Sequence, residues 1–514
     1  MSSIDDKLKN IILKWYNKYT LKRCIMKNKK STNKKKNPRM IFFKYLSVVL
    51  LIISAICLGL IYFLNVLPMQ YFIIATILFI IIDGIMCYLL LGKGWKKRML
   101  GTILSTLLMI GMIIGIVYLF NTIGFLKKIG SKDYKTQNYS VVVLSSSKYE
   151  KLKDIKNEDV GILSTKETEG LADAVAYLNK KVDVTYKEKE DIGELEKNLL
   201  NKKLSVILLE NTYLEIAKEE NEEFASNIKV IYTFSIDIAT KDLAKDVDVT
   251  KEPFNIFIAG IDTYGKISSV SRSDVNMLVT VNPNTNKILL TSIPRDYYVY
   301  LHGITSYKDK ITHAGIHGID MSVKTVEDLL DCDINYYFKV NFSSLVDIVD
   351  AIDGVEVQSP YRFTTFDYKY TFKKGYNKLN GEKALYFVRE RKAFKGGDRT
   401  RNENQQLVLS AIINKVLSPK LITKYNSILK SVEDSFVTNL DDENITNLIK
   451  KQIKENDKWT IESITLNGSD AFDYTYSYKG AKSYVMVPDE DSVNDAIKKI
   501  DEVLNEHKND EKKK

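Results

Sequence analysis

Three apolar stretches near the N-terminus restrict this chain more than any other feature. Tyr45–Val66, Tyr71–Leu91 and Met99–Phe120 each approach or exceed the roughly 20 residues with which a helix crosses the ~30 Å hydrocarbon core of a bilayer. Three spans put the two ends of the chain on opposite sides of the membrane. Residues 1–44 carry fourteen lysines and arginines against Asp5 and Asp6, and residues 92–98 carry four more. Basic segments stay in the cytoplasm, so the pattern predicts a cytoplasmic arm over 1–44, three transmembrane helices within 45–126, an outer turn at Leu67–Gln70 and external domains from about Asn121 onward. The first span does not read as a cleaved signal, because the basic region before it is long and no small-residue cleavage site follows.

This arrangement also disposes of the net charge of +10 as a sign of nucleic-acid binding. The arm accounts for +12 and the 92–98 loop for +4, so with Asp83 the remainder is about −5. The arm reads as a solvated tail that sets topology and touches anionic lipid. Cys332 is the only cysteine on the predicted outer side. No disulfide can form within the external part, and Leu329–Ile334 surrounds Cys332 with apolar residues that mark it for packing. Asp83, alone near the middle of the second span with no evident partner in Gly84 or Cys87, predicts a helix–helix hydrogen bond. Gly111 and Gly115, four apart on the third span, would permit close helix packing.

From about residue 134 to 238 short strands alternate with helices, which predicts a small α/β domain. It holds no Gly-rich phosphate loop, no metal-ligand cluster and no nucleophile motif, so it reads as an accessory domain. A polar linker at 239–252 leads to the main domain at 253–505, and 506–514 is a charged tail. The expected class of the main domain is α/β, a central sheet flanked by helices on both faces.

The chemistry concentrates at strand ends. Phe254–Ile261, Met277–Val281 and Ile288–Ile293 read as buried strands. Asp262 stops the first, Arg272 and Asp274 open the second, and Arg295 with Asp296 closes the third. If these ends meet at one edge, carboxylates for a hard cation and guanidiniums for phosphate oxygens converge, which suits a metal-bound diphosphate. Arg389 and Arg391, two apart, are read as sharing one side of an extended segment, and Arg401 and Gln405, four apart, as stacking at a helix start. Asp398 is a further acid beside them. His313 and His317 have zinc-like spacing but no third ligand. Tyr361–Tyr376 reads either as a sugar-facing loop or as a packed hairpin.

The ordered motifs Gly260-Ile-Asp262, Arg272-Ser-Asp274, Ser292-Ile-Pro-Arg-Asp296, Lys310-Ile-Thr-His-Ala314, Leu379-Asn-Gly-Glu-Lys-Ala-Leu385, Arg389-Glu-Arg391 and Gly397-Asp398…Arg401…Gln405 resemble those of the LytR–CpsA–Psr family. With three spans and an accessory domain, the chain is similar to that family's capsule-type CpsA branch. The resemblance implies a phosphotransferase that moves a capsular or teichoic-acid-like glycopolymer from a polyprenyl diphosphate carrier to peptidoglycan. It implies Mg²⁺ held by Asp262 and Asp274. Arg272, Arg295, Arg389, Arg391, Arg401 and Gln405 would grip the diphosphate, with Lys310 at its edge, and the apolar faces of the sheet and helices would take the prenyl tail. Arg295, Asp274 and Arg272 are the residues expected to carry catalysis; the base is left between Asp398 and the metal-site aspartates. A lipid-diphosphate hydrolase and a non-catalytic envelope regulator are the alternatives.

Overall fold

The computed structural model describes residues 38–63, 69–129, 134–164, 170–239, 243–261, 267–418, 432, 435–455 and 457–507. Asp262, the arm up to residue 37 and the tail beyond 507 lie outside the described residues.

Three helices open the chain: α1 (Pro38–Phe63), α2 (Met69–Leu91) and α3 (Trp95–Ile129). Each contains a stretch long and apolar enough to cross a membrane. Leu50, Met109 and Met112 pack these helices together. Asp83 finds its partner on the first helix: Ser54 Oγ donates to Asp83 Oδ1 at 3.0 Å. Gly111 and Gly115 have nothing among the described residues within 4 Å of a built Cβ, so the expected close approach is not made here.

A five-stranded sheet, ordered β3-β2-β4-β1-β5, then forms from β1 (Tyr134–Leu144), β2 (Asp159–Leu163), β3 (Thr185–Lys189), β4 (Val206–Glu210) and β5 (Ile228–Ala239). Its helices are α4 (Leu171–Asn179), α5 (Ile192–Leu200), α6 (Asn211–Glu220) and α7 (Glu222–Asn227). The last two are separate helices although only one residue lies between them. Asn221 separates them, because its side chain accepts from Phe224 N and caps α7.

The main sheet is ordered β16-β11-β6-β7-β8-β17. It comprises β6 (Phe254–Ile261), β7 (Ser273–Asn282), β8 (Lys287–Ile293), β11 (Tyr336–Asn341), β16 (Phe436–Thr438) and β17 (Thr460–Thr465). Between β8 and β11 lie β9 (Tyr298–Val299), β10 (Asp309–Lys310), a 3-10 turn at Ile311–Ile316 and α8 (Ile319–Leu330). Between β11 and β16 come α9 (Phe342–Ala351), β12 (Val355–Ser359), β13 (Phe363–Thr364), β14 (Thr371–Phe372), β15 (Gly375–Leu379), α10 (Gly381–Arg389) and α11 (Asp398–Val416). The rest are α12 (Asp442–Glu455), β18 (Gly468–Asp473), β19 (Ser483–Pro488) and α13 (Glu490–Asn505). Phe257, Leu278 and Leu289 face one core with α8 and α13, while Met277, Val279 and Leu290 face another lined by α11 and α12. Both faces are covered, which is why these strands read as continuous apolar runs rather than alternating ones. Cys332 packs on the first of these cores, and burial pushes its thiol up to about 12, as a packing cysteine should show.

The accessory sheet is joined to this domain by more than its linker. Lys135 Nζ donates to the His317 carbonyl at 2.7 Å, and Thr136 exchanges backbone hydrogen bonds with Ser268 and Val270. Ile316 and Tyr478 join an apolar core that the accessory domain builds from β1, α5, β4, α6 and α7. The segment read as a polar linker is itself docked: Val249 is buried, and Lys245 pairs with Glu327 and Asp333.

Two buried acids lie in the accessory domain. Glu196 Oε2 accepts from Tyr478 at 3.2 Å and Asn221 at 2.8 Å, and Glu210 caps α6 through Thr212 N. Burial raises both to about 7, against those hydrogen bonds. A folded-state pKa above the unfolded value gives stability that is full below the unfolded pKa of about 4.3 and is lost as pH rises through 7. The melting temperature should therefore fall between pH 5 and 8, and Glu196→Gln should flatten that fall. A melting profile with unchanged slope in the variant would exclude Glu196 as the group responsible.

Candidate functional site

The strand ends do meet. Ile261 at the end of β6 pairs with Ser273 at the start of β7, Asn276 pairs with Ile293 at the end of β8, and Asn341 of the parallel β11 pairs with Ile261. Pro294 then stops β8 and delivers Arg295 to that edge. Gly315, in the 3-10 turn, sits so close that a Cβ would lie 2.5 Å from the Ser271 carbonyl oxygen, which holds the residues flanking Arg272 in place.

A cavity of about 300 Å³ opens at this edge. Asp274, Arg295, Arg389, Arg391, Arg401 and Gln405 form its polar end, and residues such as Met277, Phe342, Leu345, Leu409 and Ile412 form its apolar body. Arg295 is the hub. Its Nη1 reaches both carboxylate oxygens of Asp274, at 3.1 and 3.0 Å, and its Nε lies 3.4 Å from Asp296 Oδ2. Burial works against its charge, but Asp274 and Asp296 outweigh that and hold it above its ordinary value. Arg389 stacks on Phe342, its guanidinium carbon 4.1 Å from the ring centroid. Arg401, almost wholly buried, donates to Asp398 Oδ2 at 2.8 Å, while its Nε has no hydrogen-bond partner among the described residues. A buried donor left without an acceptor is where an oxygen ligand would bind. Burial pushes Asp398 up, although Arg401 and Arg295 oppose it.

Two expectations need correction. Residues 384–391 are not extended: α10 runs Gly381–Arg389, capped by Asn380 accepting from Lys383 N. Its buried positions Gly381, Ala384, Leu385 and Val388 have helical spacing, so Arg389 ends the helix and Arg391 follows it. Both still reach the cavity, by a helix terminus rather than a strand face. The second concerns Arg272, which the resemblance places on the diphosphate: Asp274 takes Arg295, while Arg272 grips Glu219 of α6. Arg272 does not line the cavity, and neither does Lys310, whose Nζ lies 3.3 Å from Glu220 and 3.8 Å from Asp296. Arg401 and Gln405, one turn apart on α11, line it together as expected.

Sequence reasoning missed Glu219, which lines the polar end. It lies in the acidic run Glu219–Glu223, where nothing local separates a site carboxylate from a solvated one. His313 is bound to buried Asp309 at 2.6 Å, and no group of three metal-binding side chains occurs among the described residues. The tyrosine-rich segment is a packed hairpin at its base, where Phe363 packs tilted and Phe372 edge-to-face against Phe387, with Phe366 and Tyr368 exposed at its tip.

The LytR_cpsA_psr family model matches residues 209–499. The teichoic acid transferase TagU of Bacillus subtilis, a polyisoprenyl-teichoic acid–peptidoglycan enzyme, is 35% identical over 263 residues, 51% of this chain and 75% of that protein. TagU of Bacillus licheniformis is 34% identical over 52% of this chain and 82% of its own length. The crystal structure of B. subtilis TagV is 31% identical and covers 50% of this chain and 99% of that one, at a TM-score of 0.42. TagT bound to LIIa-WTA is 30% identical, covering 51% and 94%, at 0.41.

Proposed function

This chain belongs to the LytR–CpsA–Psr family, and we propose that it is a membrane-anchored phosphotransferase joining a prenyl-diphosphate-linked glycopolymer to peptidoglycan. One observation carries the reading: four arginines, a glutamine, Asp274 and Glu219 line a single cavity whose remaining wall is mostly apolar. A prenyl diphosphate has that same division, a densely charged head on a hydrocarbon tail. The TagU relatives are named for this transfer with teichoic acid. The distribution of Lys and Arg around the three helices supports an external site on the side where peptidoglycan lies.

Carboxylate and diphosphate oxygens are the donor set of Mg²⁺, which is commonly held by one or two carboxylates plus substrate phosphates. Asp274 at the cavity wall and Asp262, the residue that follows β6 in the sequence, would hold it. Bound there, the ion would neutralise charge on the phosphoryl group. The chain's own residues do the rest. Arg295, Arg389, Arg391 and Arg401 fix the diphosphate and stabilise the charge that develops as phosphorus is attacked. An acceptor sugar hydroxyl forms the new P–O bond at the phosphorus nearest the glycan. The bond to the bridging oxygen breaks, and prenyl phosphate leaves with that electron pair. Asp398, shifted up by burial beside Arg401, is suited to receive the hydroxyl proton.

The test is reconstitution of the full chain in phospholipid nanodiscs with a prenyl-diphosphate-linked glycan, peptidoglycan oligomers and Mg²⁺, read by mass spectrometry. The expected result is glycan joined to peptidoglycan plus prenyl monophosphate, with the rate falling at least ~100-fold on chelation. Free glycan without joining would assign a hydrolase instead, and no product of either kind would favour the regulator.

A further inference from the structure

The cavity wall includes one carboxylate that comes from outside the main domain. Glu219, in the last turn of α6, lines it and binds Arg272 through two guanidinium nitrogens, with Nη2–Oε1 at 2.9 Å. The next residue, Glu220, takes Lys310 at 3.3 Å. So the two cations of the expected phosphate-binding set that stand back from the cavity are the two held by consecutive acids at one helix end.

Their mounting is stiff, while the Glu219 side chain has room. Tyr213, Leu214, Ile216 and Ala217 bury one face of α6 in the core shared with Ile316 and Tyr478. Glu210 caps its first turn, and Asn221 ties its end to Glu196. Glu219 itself is about half exposed, against 14% for the Arg272 side chain. The helix therefore presents its carboxylates at a set place, and a rotamer change alone would withdraw Glu219 towards solvent.

An arginine fork engaged by a carboxylate must exchange it for phosphate oxygens, because both ligands compete for the same N–H pair. A diphosphate brings two phosphates to that exchange. The prenyl monophosphate left after transfer brings one, which the cavity's own arginines occupy. We propose that Glu219 and Glu220 are displaceable counter-ions: they hold Arg272 and Lys310 in the unloaded site, yield them to the diphosphate, and retake them once only monophosphate remains, hastening its release. This rests on the prenyl-diphosphate reading of the cavity. It gives the accessory domain a part in turnover, through two side chains that discriminate substrate from product.

The experiment uses the full chain in nanodiscs with Mg²⁺ and two probes, farnesyl diphosphate and farnesyl monophosphate, measured by equilibrium binding, followed by steady-state transfer kinetics. The wild type should prefer the diphosphate. In Glu219→Gln with Glu220→Gln, the monophosphate should bind about tenfold tighter, and KM and kcat should fall together because product is retained. An ion pair that merely braces the domain interface predicts the opposite, a lower melting temperature with KM raised. If the double variant loses its melting transition, Glu219→Asp, which keeps the charge but shortens the arm, is compared in the same way and should also bind monophosphate more tightly. Wild type that binds both probes, with variants no tighter, overturns the counter-ion role alone. Wild type that binds neither overturns the reading of the cavity and this proposal with it.

Discussion

Arg295→Ala is expected to lower glycan transfer by about 10³-fold, the scale seen when a charge-stabilising group is removed from a phosphoryl or acyl transfer site. Arg295 bridges both ends of the acidic edge, reaching Asp274 with Nη1 and Asp296 with Nε. Its loss would leave those carboxylates facing the diphosphate without their shared cation, so repulsion is added to the lost stabilisation. Arg295→Lys should recover only part of the rate, because an ammonium cannot contact Asp274 and a phosphate as a planar fork does. The comparison needs far-UV circular dichroism of each variant, to show that the fold is retained. A rate within tenfold of wild type in folded Arg295→Ala would remove Arg295 from the catalytic set.

The second large effect lies at the other end of the cavity. Leu409, on α11, lines its apolar body one turn beyond Gln405. Leu409→Trp should weaken farnesyl diphosphate binding by about fiftyfold while leaving inorganic pyrophosphate unchanged. The estimate follows from excluding about three methylenes at ~0.8 kcal/mol each, a loss of ~2.4 kcal/mol. Pyrophosphate has no hydrocarbon chain to be excluded from the apolar body. Equal weakening of both ligands would mean that the variant distorts α11 and with it Arg401; no change in either would mean that the prenyl chain lies elsewhere.

Much of the site was legible because its residues sit at strand and helix ends with fixed spacing. Arg401 and Gln405 are one helical turn apart in the sequence and on the cavity wall alike. Asp274 and Arg295 bracket strands whose apolar runs identified them, and antiparallel pairing brings the start of β7 beside the end of β8. The 384–391 segment was misread because Leu385, Phe387, Arg389 and Arg391 fit an alternating pattern. Ala384, Leu385 and Val388 fit a helical one equally well, and Asn380 as a cap decided between them.

The three apolar helices, the α/β class and the strand-end charges follow from local residue order, since each depends on residues within about 20 positions. Which cation meets which anion follows from packing between distant segments. Arg272 and Glu219 are 53 residues apart and belong to different domains, as do Lys310 and Glu220 at 90. Pairing at that separation is set by how two domains dock, through Lys135, Thr136 and Tyr478, and local periodicity does not record it. Asp83 shows the same within the apolar helices: its position was plain, but its partner Ser54 lies 29 residues away, on a helix face that only packing selects.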